Sequence, residues 1–347
     1  MLCYALLLIV FLLTTSVNGQ TQNKLETTDA SHKALAANER GLKAALKRDF
    51  TTSEREHANA VAIYRSLGSG YYPHLAIALF NLAQAKCGQG KWREGEEILE
   101  ESLLLSRSSL GPEHIETSAA LNALGHIETL LGDLKAAGDH FAESLELTRA
   151  HNPISAQHAF ALAGFSTLRL RAGKPDEALP YADEALRVMI QADPGEGLES
   201  AVLYQNVGRI HRAAGRSERA LPLFRKARDL YERVGAQGDP RYATLLSEEG
   251  LALMDDGRTA MAEAEMKRAV GMLEPCGGCQ FELAVARNNL GLLRFQQKKY
   301  SEADDLLRKA LAAEETFGPA NSTEIGTTKS ILLQVRTALH QGCPVCG

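Results

Sequence analysis

The sequence predicts an all-α solenoid of seven helix pairs closed by a single C-terminal helix. Three observations predict it. Small residues recur with a step of 41 or 42 at Gly41, Ala83, Gly125, Ser166, Gly208, Gly250 and Gly291. Two further small-residue series keep the same step, one from Ser53 to Ala303 and one from Ala60 to Ala310. Self-similarity at a fixed period of this length is the mark of a repeat array. Composition agrees: the chain is 45% hydrophobic but only 6% aromatic, as an array of modest helices requires.

The elements follow in chain order. Residues 1–19 read as a signal peptide, with an apolar run from Leu2 to Leu13 and a small-residue cleavage site at Val17-Asn18-Gly19. The run is too short for a membrane span of about 20 residues and fits an export signal. It lacks a basic residue, the first being Lys24, so an uncleaved membrane anchor is the alternative. Residues 20–30 are a polar lead-in. The array occupies residues 31–340. In residues 283–312 an apolar stripe at helical spacing runs from Leu283 to Phe295, a polar break follows at Gln296-Gln297-Lys298-Lys299, and a second stripe runs from Tyr300 to Leu311. Gly90, Gly132, Gly173, Gly215 and Gly257 fall between the two helices of a pair, where a helix C-terminus stops. Pro73, Pro112, Pro153, Pro194, Pro240, Pro275 and Pro319 fall between pairs. Residues 323–340 form one more amphipathic helix, a cap for the last exposed apolar face. Residues 341–347 are a short tail with a Cys-x-x-Cys unit.

These registers resemble the tetratricopeptide repeat, which places small residues at positions 8, 20 and 27 of a helix-turn-helix unit. Phe50, Trp92 and Tyr300 fill the family's aromatic place, and stretches such as Asn81-Leu82-Ala83 and Asn289-Leu290-Gly291 carry its flavour. The step of about 42 resembles the long-helix variety of kinesin light chains. The resemblance implies a right-handed superhelix and a concave face lined by the first helix of each unit. It says little of function, because function lives in sites grafted on folds.

The chemistry is sparse. The net charge is −5 with no run of one sign, which leaves no electrostatic footprint for nucleic acid. No Gly-rich phosphate loop, no His-Glu-x-x-His pair and no nucleophile motif occurs. The expectation is no enzyme, no cofactor, no resident metal and no membrane span after the signal. Cys276 and Cys279 form one Cys-x-x-Cys unit, and Cys343 and Cys346 another. A local disulfide in each suits an oxidising compartment. Free thiols, and a redox-active pair at Cys276 and Cys279 next to a helix start, are the competing readings.

The implied groove supplies the leading function: an exported, non-enzymatic scaffold that binds a protein or peptide on its concave face. Position 5 carries an amide in alternate repeats, including Asn122, Gln205 and Asn288. An amide donates and accepts, as a peptide backbone requires. His126 and Arg209 occupy position 9 and Arg212 position 12, and the two arginines suit a carboxylate. The same residues also fit a solvated face without a ligand. The alternative function is a thiol-redox or metal-handling protein acting through Cys276 and Cys279.

Overall fold

The computed structural model describes residues 29–194, 197–319 and 323–341. The signal peptide, most of the lead-in and the pair Cys343 and Cys346 lie outside the described residues. Fifteen α-helices and no strand occur among the described residues. They fall into two compact units, divided after Pro194.

Unit 1 holds four helix pairs: α1 (Asp29–Leu46) with α2 (Phe50–Leu67), α3 (Tyr72–Gly88) with α4 (Trp92–Leu110), α5 (Thr117–Leu131) with α6 (Leu134–His151), and α7 (Ala156–Arg171) with α8 (Pro175–Ala192). Unit 2 holds three pairs and a cap: α9 (Leu198–Ala213) with α10 (Ser217–Arg233), α11 (Pro240–Asp255) with α12 (Thr259–Leu273), α13 (Gln280–Gln296) with α14 (Tyr300–Phe317), and then α15 (Thr323–Gln341). The odd-numbered helices α1 to α13 are called A helices and their partners B helices. The seven pairs and the cap are those the periodicity predicts, except that α1 starts inside the stretch read as lead-in.

Every B helix starts at the register shared by Phe50, Trp92, Leu134, Pro175, Ser217, Thr259 and Tyr300. The turn before it needs a left-handed residue. Gly90, Gly132, Gly173, Gly215 and Gly257 supply it with φ between 72° and 89°. Arg48 and Lys298 hold the same place in the first and last pairs, at φ 59° and 60°. Asp49 and Asp133 then cap their B helices, accepting from the backbone N–H of Thr52 at 3.0 Å and Ala136 at 3.1 Å.

The small residue at position 8 of each A helix has a definite partner, the residue 16 further on. A Cβ at Gly208 would lie 2.9 Å from the Phe224 ring, and one at Gly125 2.9 Å from Phe141. Gly41 faces His57 in the same way, Gly250 faces Met266, and Gly291 faces Leu307. The B helix thus drives one side chain into a slot that the A helix leaves open. In the fourth pair both members of this register are small, Ser166 and Ala182, and the Ser166 hydroxyl donates to the Ala178 carbonyl at 2.7 Å.

Candidate functional site

Position 5 of the A helices is mostly an internal position. In unit 2, Gln205 of α9 donates through Nε2 to Glu248 of α11 at 3.2 Å and accepts from the Tyr231 hydroxyl at 3.4 Å. Ser247 of α11 accepts from Asn289 of α13 at 2.9 Å. Asn288 of α13 donates to Thr328 of α15 at 2.5 Å and reaches Glu314 at 3.5 Å. The bonds to Glu248, Asn289 and Thr328 run from position 5 of one A helix to the next helix of that face, while Tyr231 and Glu314 reach it from the B helix of the same pair. Buried polar groups need partners, and here they find them across the joint between repeats. In unit 1 the same link occurs once: Asn38 accepts from Asn81 at 3.1 Å and lies 2.8 Å from Nδ1 of His57.

The next polar position 5 in unit 1 is Asn122, and its link fails. The facing residue at position 6 of α7 is Gly164, which has no side chain to offer. Gly164 is glycine for a packing reason. A Cβ there would collide with the Phe141 ring, which also closes over Gly125. Phe141 is fully buried and meets the His126 ring edge-on, with centroids 5.0 Å apart. Asn122 is therefore 3% exposed with no hydrogen-bond partner for Oδ1.

An open cleft lies where the ladder is interrupted, and Asn122 lines it. Ile77 and Phe80 of α3, Ala119 of α5 and Phe160 of α7 make its apolar walls. Ser102 and Ser118 also line it, but their hydroxyls donate to the carbonyls of Ala76 at 2.8 Å and Ile115 at 2.6 Å. Glu116, the N-cap residue of α5, supplies a carboxylate. Burial pushes its carboxyl above the ordinary glutamate value, offset in part by His114. The site thus offers an apolar chamber, one acid, the unpartnered Asn122 amide oxygen, and the side chains of Ser106 and Gln157.

The six groove residues named from the sequence separate accordingly. Asn122 lines the cleft; His126 is buried against Phe141. Gln205 and Asn288 hold their own unit together. Arg212 donates to Asp255 at 3.2 Å, and Arg209 is half-buried on the same helix. Sequence reasoning did not single out Glu116 or Gly164. The missing signal for Gly164 was its place two residues before position 8, where five of the other six repeats carry a side chain able to bond, Ala123 being the exception.

Cys276 and Cys279 form a disulfide in the turn before α13. Cys279 is fully buried and Cys276 half-buried. Cys87 is buried on α3, as a small apolar side chain would be. No described helix is long and apolar enough to cross a membrane.

Comparison with protein families matches the tetratricopeptide repeat over residues 76–150 and 158–233, again over 207–275, and again over 283–322. No curated protein matches the sequence. Solved structures share the fold. Rap protein, crystallised with Competence and Sporulation Factor, is 13% identical, with a TM-score of 0.63 over 94% of this chain and 92% of its own. NprR with its cognate peptide NprX is 14% identical, with a TM-score of 0.61 over 93% and 91%. A tetratricopeptide repeat protein from Parabacteroides merdae is 18% identical, with a TM-score of 0.51 over 88% and 99%.

Proposed function

This chain belongs to the tetratricopeptide-repeat family, and we propose that it is an exported, non-enzymatic scaffold that binds a partner polypeptide through the cleft of unit 1. The cleft is the observation that carries the reading. It joins an apolar chamber to an amide that the fold leaves unsatisfied, and an unmade buried hydrogen bond costs about 1–3 kcal/mol until something meets it. The family fold agrees with a binding role, since NprR carries its cognate peptide on such a fold. Arg209 and Arg212 form a less favoured second contact, because Arg212 is already paired with Asp255.

Export is supported by the apolar N-terminal run and by the disulfide at Cys276 and Cys279, which suits an oxidising compartment. N-terminal sequencing of the native protein checks it, with Gln20 as the expected first residue. Binding is tested by placing a photo-crosslinking side chain at Ala119 in the cleft and, separately, at the exposed Glu100 of α4. A partner trapped from Ala119 and not from Glu100 is the expected result. Equal trapping from both positions, or none, removes the cleft from the proposal.

The disulfide favours one further reading, in which a partner thiol attacks the half-exposed Cys276. Changing Cys276 and Cys279 to Ser is the discriminating measurement. A mixed disulfide with a partner, seen with the parent protein on non-reducing electrophoresis and lost in the Ser variant while capture from Ala119 stays intact, would favour thiol chemistry over the scaffold.

A further inference from the structure

The cleft of unit 1 carries its own specificity. Glu116 and Asn122 both line it, and Glu116 is the one charged residue among those lining it. They are six residues apart on α5, so about 9 Å separates them along the helix axis. An extended peptide spans that distance in about three residues. Alternate residues of such a peptide point to the same side, so two side chains placed two apart face the cleft together. A ligand cation beside Glu116 would answer the desolvation that already pushes its carboxyl up. The histidine near it, His114, is turned to the backbone, with its Nδ1 3.3 Å from the Glu116 N–H. No hydroxyl competes for a ligand at the Ser102 or Ser118 walls, because both donate to carbonyls.

We propose that the cleft binds an extended peptide segment with a bulky apolar side chain and a Lys or Arg two residues away. The apolar side chain packs against Ile77, Phe80 and Phe160. The cation meets the Glu116 carboxylate, and an N–H of the segment donates to the Asn122 amide oxygen. This rests on the scaffold reading and names the partner's chemistry.

The test uses the full chain and two labelled synthetic peptides, acetyl-Ser-Lys-Ser-Phe-Ser-amide and the same peptide with Glu for Lys. Fluorescence anisotropy is read at low and at high salt. The lysine peptide should bind at least tenfold more tightly than its glutamate counterpart, and salt should shrink that gap. Glu116→Gln should erase the preference. Asn122→Leu should weaken both peptides by about tenfold, the scale of one lost hydrogen bond. Both variants should keep the parent's helical circular dichroism and melting curve, which excludes unfolding as the cause. Equal binding of the two peptides, or an unchanged preference in Glu116→Gln, overturns the proposal. So does octylammonium displacing the lysine peptide at equal concentration, since the occupant would then be a small amphiphilic amine. Absence of peptide binding at millimolar concentration overturns it as well. The photo-crosslink from Ala119 is read independently, so the scaffold reading stands or falls on its own.

Discussion

Units 1 and 2 use the same register differently. In unit 2 every position 5 is polar, and Gln205, Ser247 and Asn288 each bond to the next helix of the face. In unit 1 the link is made at Asn38, replaced by apolar packing at Phe80, and left open at Asn122. The difference traces to one ring. Phe141 needs glycine on both sides, at Gly125 and at Gly164, and the second glycine takes away the partner of Asn122. A site therefore opens in the unit where one ring takes glycine on both sides, while the unit with complete polar links has spent its amides on cohesion.

The comparison breaks most severely if Phe141 is removed. Phe141→Ala should destabilise the α5–α7 region by about 3–5 kcal/mol, because a fully buried ring leaves a cavity. Hydrogen exchange resolved by peptide should show the loss in unit 1 and leave α11–α15 unchanged. Uniform loss across both units would mean that they unfold as one body.

The second way to sharpen the comparison is acid. His57 is 1% exposed, and burial holds its pKa at about 4 although Glu56 pulls it up. Burial also lowers His74 and His158 in unit 1, whereas Glu128 raises His140. A lowered folded pKa means that the unfolded chain binds more protons between pH 6.5 and 4. The stability His57 contributes is complete above pH 6.5 and is lost as pH falls towards 4. For a shift of this size the loss is about 3 kcal/mol. Exchange protection of α1 and α2 should drop over that window, and His57→Gln should remove most of the slope. A flat response in the parent protein would show that His57 titrates normally.

The smallest effect is the most specific. Gln205→Leu strands the buried Glu248 and should cost about 1–3 kcal/mol. Asn122→Leu strands nothing within the protein and should be neutral or slightly stabilising. Equal costs in chemical denaturation would contradict the contrast between closed and open links.

The fold was largely legible because its signals are local and repeated. Glycine and proline mark turns and joints within a few residues, and the position-8 series marks every A helix. The first and last turns were harder, since Arg48 and Lys298 adopt a left-handed conformation that composition assigns to glycine. The site was legible only in part. Amide periodicity pointed at Asn122, Gln205 and Asn288 alike. What separates them is a partner about 40 residues away, Glu248 for Gln205 and Gly164 for Asn122, and a pattern confined to one repeat does not contain it.

The slot between position 8 and the residue 16 further on has a consequence for descent. Gly125 with Phe141 and Ser166 with Ala182 fill the same register differently, an open slot with a ring in one pair and two small side chains in the other. A change on one side alone leaves a hole or a collision, so the packing requires the two positions to change together. The heritable module of this chain is then the whole helix pair. Recombination that cuts between pairs can lengthen or shorten the array, whereas recombination that cuts inside a pair mismatches lock and key.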